Sequence, residues 1–394
     1  MTSAYIYGAL RTAFGRLGGA LAGNRPDDLA ATVVSALVAR FPQLEPGRID
    51  EIVLGNANGA GEDNRNVARM AGLLAGLPVS VPGTSVNRLC GSSLDAAMIG
   101  SRQVETCDAD LVLTGGVESM SRAPWVLPKP EKTYPAGNAT LASTTLGWRL
   151  VNPRMPAEWT ISLGEANEQL QERYAVSRER QDEFAVRSHR LADEAWSSGF
   201  YDDLTVPVPG VNLTRDESIR AGSTVEKLAT LTPSFRQDGT ITAGNASPLN
   251  DGASAVMVGS EAAALVLGAE PLARIAGRGT HAVKPQMFGY APVEAATKAL
   301  KRAGIGWPDV GAVELNEAFA VQSLVCIDAW PIDPDIVNTH GGAIAIGHPL
   351  GASGGRILGT LTKRLREGNH RYGVAAICIG VGQGLAVVLE NTTS

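Results

Sequence analysis

No stretch of about twenty consecutive apolar residues occurs in the 394-residue chain, so nothing in it reads as a membrane span. The most apolar segment, VAAICIGVGQGLAVVLE, is broken by glycines and by Gln383. Cysteine is scarce. Cys90, Cys107, Cys326 and Cys378 lie far apart with no C-x-x-C pair, which argues against a zinc site or disulfide framework and suits a reducing cytoplasm. Basic charge is not in excess: the formal net charge is −6, and nucleic acid is not an expected partner. There is no GxGxxG or GK[ST] loop to cradle a nucleotide, and no G-x-S-x-G elbow of the usual serine hydrolases. The start, MTSAYIYGALRTAFGR, has no long apolar signal core, and the closing NTTS is no peroxisomal address.

What is present is an ordinary globular composition, 44% hydrophobic and 19% charged, long enough for about two or three domains. Short apolar runs that end in glycine or a polar residue read as buried strands: AYIYGAL, DEIVLGNA, ADLVLTGGVES, VGAVELNEAFA and YGVAAICIG. Helical patterns alternate with them. PDDLAATVVSALVARF opens on Pro26 and sets Leu29, Val33, Ala36 and Leu37 on one face; PVEAATKALKRAG opens on Pro292 and stops at Gly304. The fold class is α/β with a parallel or mixed sheet, closed by a C-terminal hairpin. Residues 121–247 differ, being proline-rich and irregular around the helix SRERQDEFAVRSHRLADEAW, and read as an inserted lobe. Each half of the rest places a reactive residue before a helix, followed by a strand near glycines, so the core reads as doubled.

The candidate chemistry is thiol chemistry. VNRLCGSSLDA puts Cys90 at a helix start, where free N–H groups and the helix dipole favour a thiolate near neutral pH. GGAIAIGHPLGASGGRIL places His348 in a glycine-rich turn entering an amphipathic helix. CIGVGQG ends a strand with Cys378, NEAF follows a strand with Asn316, and AGNASPLNDGA is a small-residue loop leaving the lobe. His189, His281 and His370 read as surface or core histidines.

NRLCGSSLDA, GGVESMSRAP, NASPLNDGA, NEAF, GGAIAIGHPLGASG and CIGVGQG, in this order, closely resemble the thiolase family. The resemblance runs from RTAFGR to the final strand. It implies two similar mixed-sheet α/β halves, each with a five-stranded sheet, stacked as α-β-α-β-α layers with an inserted loop domain that binds coenzyme A. The implied division is 1–120 plus 248–271 for the N-terminal half, 121–247 for the loop domain and 272–394 for the C-terminal half. It further implies acyl transfer between a 3-oxoacyl-CoA and coenzyme A, with no permanently bound cofactor, no metal, and a cytoplasmic homodimer or homotetramer. Cys90 matches the nucleophile, His348 its base, and Cys378 the cysteine that moves the α-proton. Asn316 matches the asparagine whose water, with His348, cradles the enolate oxygen, and the N–H groups of Cys90 and Gly380 match a second oxyanion hole. Arg220, Phe235, Ser247, Ala318 and Phe319 match coenzyme A contacts.

The chain departs from the family pattern at Ser93 and His340, and at Phe288 and Ile161 beside the expected pantetheine channel. Within the family, NANGAGEDNRNVARMAGLLAGLPVSVPGTSVNRLCGS, TTLGWRLVNPRM and CIGVGQGLA look more like thiolases of 3-oxoadipyl-CoA than the short-chain biosynthetic branch. A chain ending in a carboxylate calls for a cation in the pocket, and Arg65, Arg69, Arg122, Lys129, Arg149 and Arg154 are the candidates. An acetoacetyl-CoA or general medium-chain thiolase is the alternative. A non-catalytic acyl-CoA-binding relative is a distant one, since it is expected to lose Cys90, His348 or Cys378.

Overall fold

A computed structural model describes residues 2–393. Nine strands carry the architecture: β1 (Tyr5–Thr12), β2 (Glu51–Gly55), β3 (Gly83–Val86), β4 (Leu111–Ser119), β5 (Asn250–Gly259), β6 (Ala273–Ala282), β7 (Val310–Leu315), β8 (Tyr372–Ile379) and β9 (Gln383–Asn391). They run in the order β7-β8-β9-β6-β1-β5-β4-β2-β3. β4 and β5 are buried along their whole length, which is why LVLTGGVES and NDGASAVMVG are apolar or small on both faces except at one end, where Glu118, Asn250 and Asp251 lie.

The order is a repeat. In the N-terminal half β2 lies parallel to β3 and β4, and β5 antiparallel to β4 and β1. In the C-terminal half β7 lies parallel to β8, and β9 antiparallel to β8 and β6. The resemblance implies a fifth strand in each half, and the second half reduces it to one parallel bridge, Val313 to Val337. Asn338 is the physical reason. It turns out of line with φ 49°, and its side chain takes the place of a strand, accepting from Leu315 N–H at 2.9 Å and donating to the Leu315 carbonyl at 2.8 Å. The two sheets meet at one edge, where Tyr5 and Ile6 pair with Arg274 and Ala273.

Helices fill the remaining layers. α1 (Pro26–Ala39) packs its Leu29, Val33 and Leu37 on the outer face of the first sheet. α5 (Ala291–Ala303), stopped by Gly304 at φ 74°, covers the outer face of the second, with α6 (Ala320–Ala329) in the same core. Between the sheets lie α2 (Ser92–Glu105), which leads from β3 to β4, and α7 (Ser353–Glu367), which leads into β8. Leu94, Ala97 and Met98 of α2 meet Ile357, Leu358, Leu361 and Leu365 of α7 in one buried cluster. The helices cross so closely that a Cβ on Gly354 would lie 2.1 Å from the Leu94 nitrogen. Ser93, the departure from the family's glycine, bridges them by accepting from Gly355 N–H at 3.0 Å.

The segment 121–247 contains α3 (Leu163–Tyr174) and α4 (Arg178–Ser197). Ala192, Ala195, Phe200 and Tyr201 pack on Phe14, Ile346 and Ala352, so this segment rests against the turn that carries His348. Arg11 of the RTAFGR stretch fixes it further, donating to both carboxylate oxygens of buried Asp216 at 2.6 and 2.8 Å. His340, the other departure, stacks on Phe200 with ring centroids 3.7 Å apart.

Candidate active site

Cys90 sits in a one-turn helix, Leu89–Gly91, that runs straight into α2. Leu89 adopts φ 47°, a left-handed conformation that costs a side-chain-bearing residue about 1–3 kcal/mol. The neighbours hold it there. Leu89 N–H donates to Asn87 Oδ1 at 2.9 Å, Asn87 donates to the Ala57 carbonyl at 2.9 Å, and Ser92 Oγ donates to the Leu89 carbonyl at 2.6 Å. The Cys90 sulfur is buried, and the main-chain N–H groups of Gly380 and of Cys90 itself favour its ionised form. Burial outweighs them and pushes the thiol up to about 11. The expectation of a thiolate near neutral pH is therefore corrected: helix-start donors are present, but loss of water costs the anion more than they return.

His348 enters from the other half. Its N–H donates to Asn250 Oδ1 at 2.9 Å, and Gly347 before it takes φ 111°, where a side chain would strike Asn250. Ser353 Oγ donates to the Pro349 carbonyl at 3.0 Å and lies 2.6 Å from His348 Nδ1. On that assignment Nδ1 bears the proton and Nε2 keeps the lone pair. Burial, then the Arg356 charge, pushes the imidazole down to about 3, so it rests neutral.

Asn316 follows β7 with its N–H on the Ala376 carbonyl at 2.9 Å. Arg356, fully buried, donates to Asn316 Oδ1 at 3.1 Å, which turns the amide nitrogen toward the His348 ring at 3.4 Å. Glu314 sits behind, 3.5 Å from Arg356 and 2.7 Å from Arg364. Cys378 lies near the end of β8, fully buried, and burial holds its thiol well above the usual range.

Two cavities meet at Cys90. One, of about 420 Å³, is lined by Cys90, His348, Phe235, Ser247, Phe288, Ala318 and Phe319. The other, of about 310 Å³, holds Gly380, Glu118, Asn58 and Arg149. Cys90, Leu146, Trp148, Leu163 and Leu350 line both, so they form a passage bent at the sulfur. Arg220 stands apart, in an adjoining cavity of about 300 Å³ with His189 and Lys227 that shares Pro248. Ile161 lines neither wall and offers its carbonyl to Trp148 Nε1 at 3.1 Å. Sequence reasoning passed over Asn250, Ser353, Arg356 and Glu118, although each stands inside or beside a motif that it singled out. Glu118 is buried, accepts from Ala57 and Gly351 N–H at 3.0 and 2.9 Å, and is pushed by burial up to about 7.

A fold of two α/β halves with a cysteine and a histidine brought from opposite halves to one bent passage defines a class of acyl-transferring enzymes. The comparisons agree. Residues 4–262 match the family model described as thiolase, N-terminal domain, and residues 269–391 match that described as thiolase, C-terminal domain. The chain is 47% identical to a beta-ketoadipyl-CoA thiolase of Escherichia coli, over 99% of this chain and 100% of that one. It is 43% identical to a beta-ketoadipyl-CoA thiolase of Acinetobacter baylyi over the same shares. Human mitochondrial 3-ketoacyl-CoA thiolase in complex with CoA superposes with TM-score 0.93 at 35% identity, covering 99% of this chain and 98% of that one. The chain belongs to the thiolase family, and it is an acyltransferase acting on acyl-CoA.

Proposed function

We propose that this thiolase cleaves 3-oxoadipyl-CoA with coenzyme A to acetyl-CoA and succinyl-CoA, or runs the reverse condensation, through an acyl group on Cys90. The observation that carries the catalytic assignment is the position of the Cys90 sulfur at the bend of the passage, beneath the N–H groups of Gly380 and Cys90. The names of the Escherichia coli and Acinetobacter baylyi relatives support the substrate.

His348 Nε2 takes the Cys90 proton as sulfur attacks the C3 carbonyl, so the thiolate exists only while it reacts. The oxyanion forms under the N–H groups of Cys90 and Gly380; one such donor contributes about 3–4 kcal/mol. The C2–C3 bond then breaks, and its electron pair becomes the acetyl-CoA enolate. His348 and a water held by Asn316 stabilise that enolate oxygen, and Cys378, kept protonated by burial, delivers the proton to C2. Coenzyme A then gives its thiol proton to Cys378, its sulfur attacks the acyl-cysteine, and His348 returns its proton to the departing Cys90 sulfur, so all three groups end as they began. Residues 121–247 act as the coenzyme A lobe between an N-terminal half of 1–120 plus 248–271 and a C-terminal half of 272–394. Phe235, Ser247, Phe288, Ala318 and Phe319 guide pantetheine, and Arg220 meets the phosphate end. The working form is a cytoplasmic homodimer or homotetramer.

Intact mass after brief exposure to acetyl-CoA should show one acetyl group, mapped to Cys90. An adduct on Cys107 or Cys326 in its place would overturn the assignment.

A further inference from the structure

The 310 Å³ cavity is walled by Leu89, Leu146, Leu163, Leu350 and Val381, and among the described residues one cation opens onto it. That cation is Arg149. The other basic residues near the passage are committed or remote. Arg122 pairs with Glu62 at 2.5 Å, and Arg69 donates to the Val79 carbonyl at 2.9 Å and to Val81. Arg65, Lys129 and Arg154 are exposed and line neither cavity. Among the described residues Arg149 forms no ion pair; its one hydrogen bond is a long one, Nη2 to Asn58 Oδ1 at 3.4 Å. Asn58 itself is fixed, donating to Thr144 Oγ1 at 2.9 Å and to the Thr144 carbonyl at 3.1 Å, so its carbonyl oxygen faces the guanidinium. The half-buried Arg149 thus stands with most of its donors unused at an apolar cavity.

We infer that Arg149, oriented by Asn58, binds the terminal carboxylate of a dicarboxylic acyl chain carried on Cys90. The inference rests on the substrate reading given above and names the residue that would enforce it. An acyl group on Cys90 has two ways to lie. The cavity bearing His348, Phe235 and Phe319 is needed for pantetheine, and the other holds Gly380, whose N–H faces the acyl oxygen. The acyl tail therefore runs toward Arg149. Among the described residues Glu118 lines the same space as its single acidic group, so without Arg149 a tail carboxylate would meet no cation in a largely apolar cavity. A guanidinium can receive both carboxylate oxygens at once, and a neutral chain of equal length gains nothing from it.

The test compares thiolysis of 3-oxoadipyl-CoA with that of 3-oxohexanoyl-CoA, equal in length and differing in terminal charge. Wild type is expected to favour the dicarboxylate in kcat/KM by about tenfold or more, equivalent to ~1.4 kcal/mol. Arg149→Met should lower that ratio at least about fivefold, through the dicarboxylate, with Arg149→Lys intermediate because it keeps charge but loses the fork. The ratio is internal to each preparation and does not depend on how much protein folds. Should Arg149→Met be inactive on both esters, Asn58→Ala gives the same readout, since it frees the guanidinium from its fixed position. A wild-type preference that survives with a fall smaller than about fivefold overturns the role of Arg149 while leaving the substrate reading standing. No preference in wild type overturns the substrate reading, and this inference with it.

Discussion

Cys90 and His348 are both buried, and burial drives them in opposite directions, the thiol up to about 11 and the imidazole down to about 3. A thiol is ionised only above its pKa and an imidazole is protonated only below its own, so between these limits the pair is neutral. No standing thiolate waits for substrate. Alkylation of Cys90 by iodoacetamide in the absence of acyl-CoA should accelerate about tenfold per pH unit through about pH 9, with no plateau. A plateau with its midpoint near neutrality would show a preformed thiolate–imidazolium pair and overturn this account. Arg356 contributes to the same state, because its buried charge opposes protonation of His348.

The elements that deliver these side chains are α2 and α7, and each begins at the site. Gly354→Ala would drive a methyl group into the Leu94 backbone, which has no flexible end to yield. Overpacking of this kind costs about 1–3 kcal/mol or more, and the helices must part. The variant should melt several degrees lower, and the rate of Cys90 acetylation should fall by more than the folded fraction does. A variant that acetylates normally would show that the crossing does not position the site. At this scale most of the design was legible. Pro26, Pro292 and Gly304 marked helix ends within a residue of those observed, and the five apolar runs became β1, β2, β4, β7 and β8. The helix-start thiol was legible as a place and misleading as a charge, because first-turn donors are local whereas burial depends on β8 and the turn after it. Arg149 stood as one candidate among six, since only folding reveals which cations already have partners.

At the scale of the whole molecule, the 121–247 segment is tied to the core by shared apolar clusters and by several polar contacts, among them Arg180 with Asp328 and Ser188 with Glu317. Asp216 gathers three of them, receiving Arg11, the Phe14 N–H at 2.8 Å and, from within the segment, Trp196 Nε1 at 2.9 Å. Asp216→Asn leaves the buried Arg11 without its counter-charge, at a cost of about 3–5 kcal/mol. Urea unfolding should move to lower concentration, and the KM for coenzyme A should rise, because Phe235 and Ser247 lie in this segment or at its edge. A midpoint within experimental error of wild type would mean that Arg11 finds another partner. The repeat has a consequence of its own. In a pair of identical subunits, any change that improves a nucleophile appears twice, and the same position cannot also become a base. Joining two copies in one chain removes that constraint: the turn before α2 carries a thiol, while the corresponding turn before α7 carries an imidazole. Asymmetric chemistry here is the result of a symmetric scaffold whose halves were free to diverge.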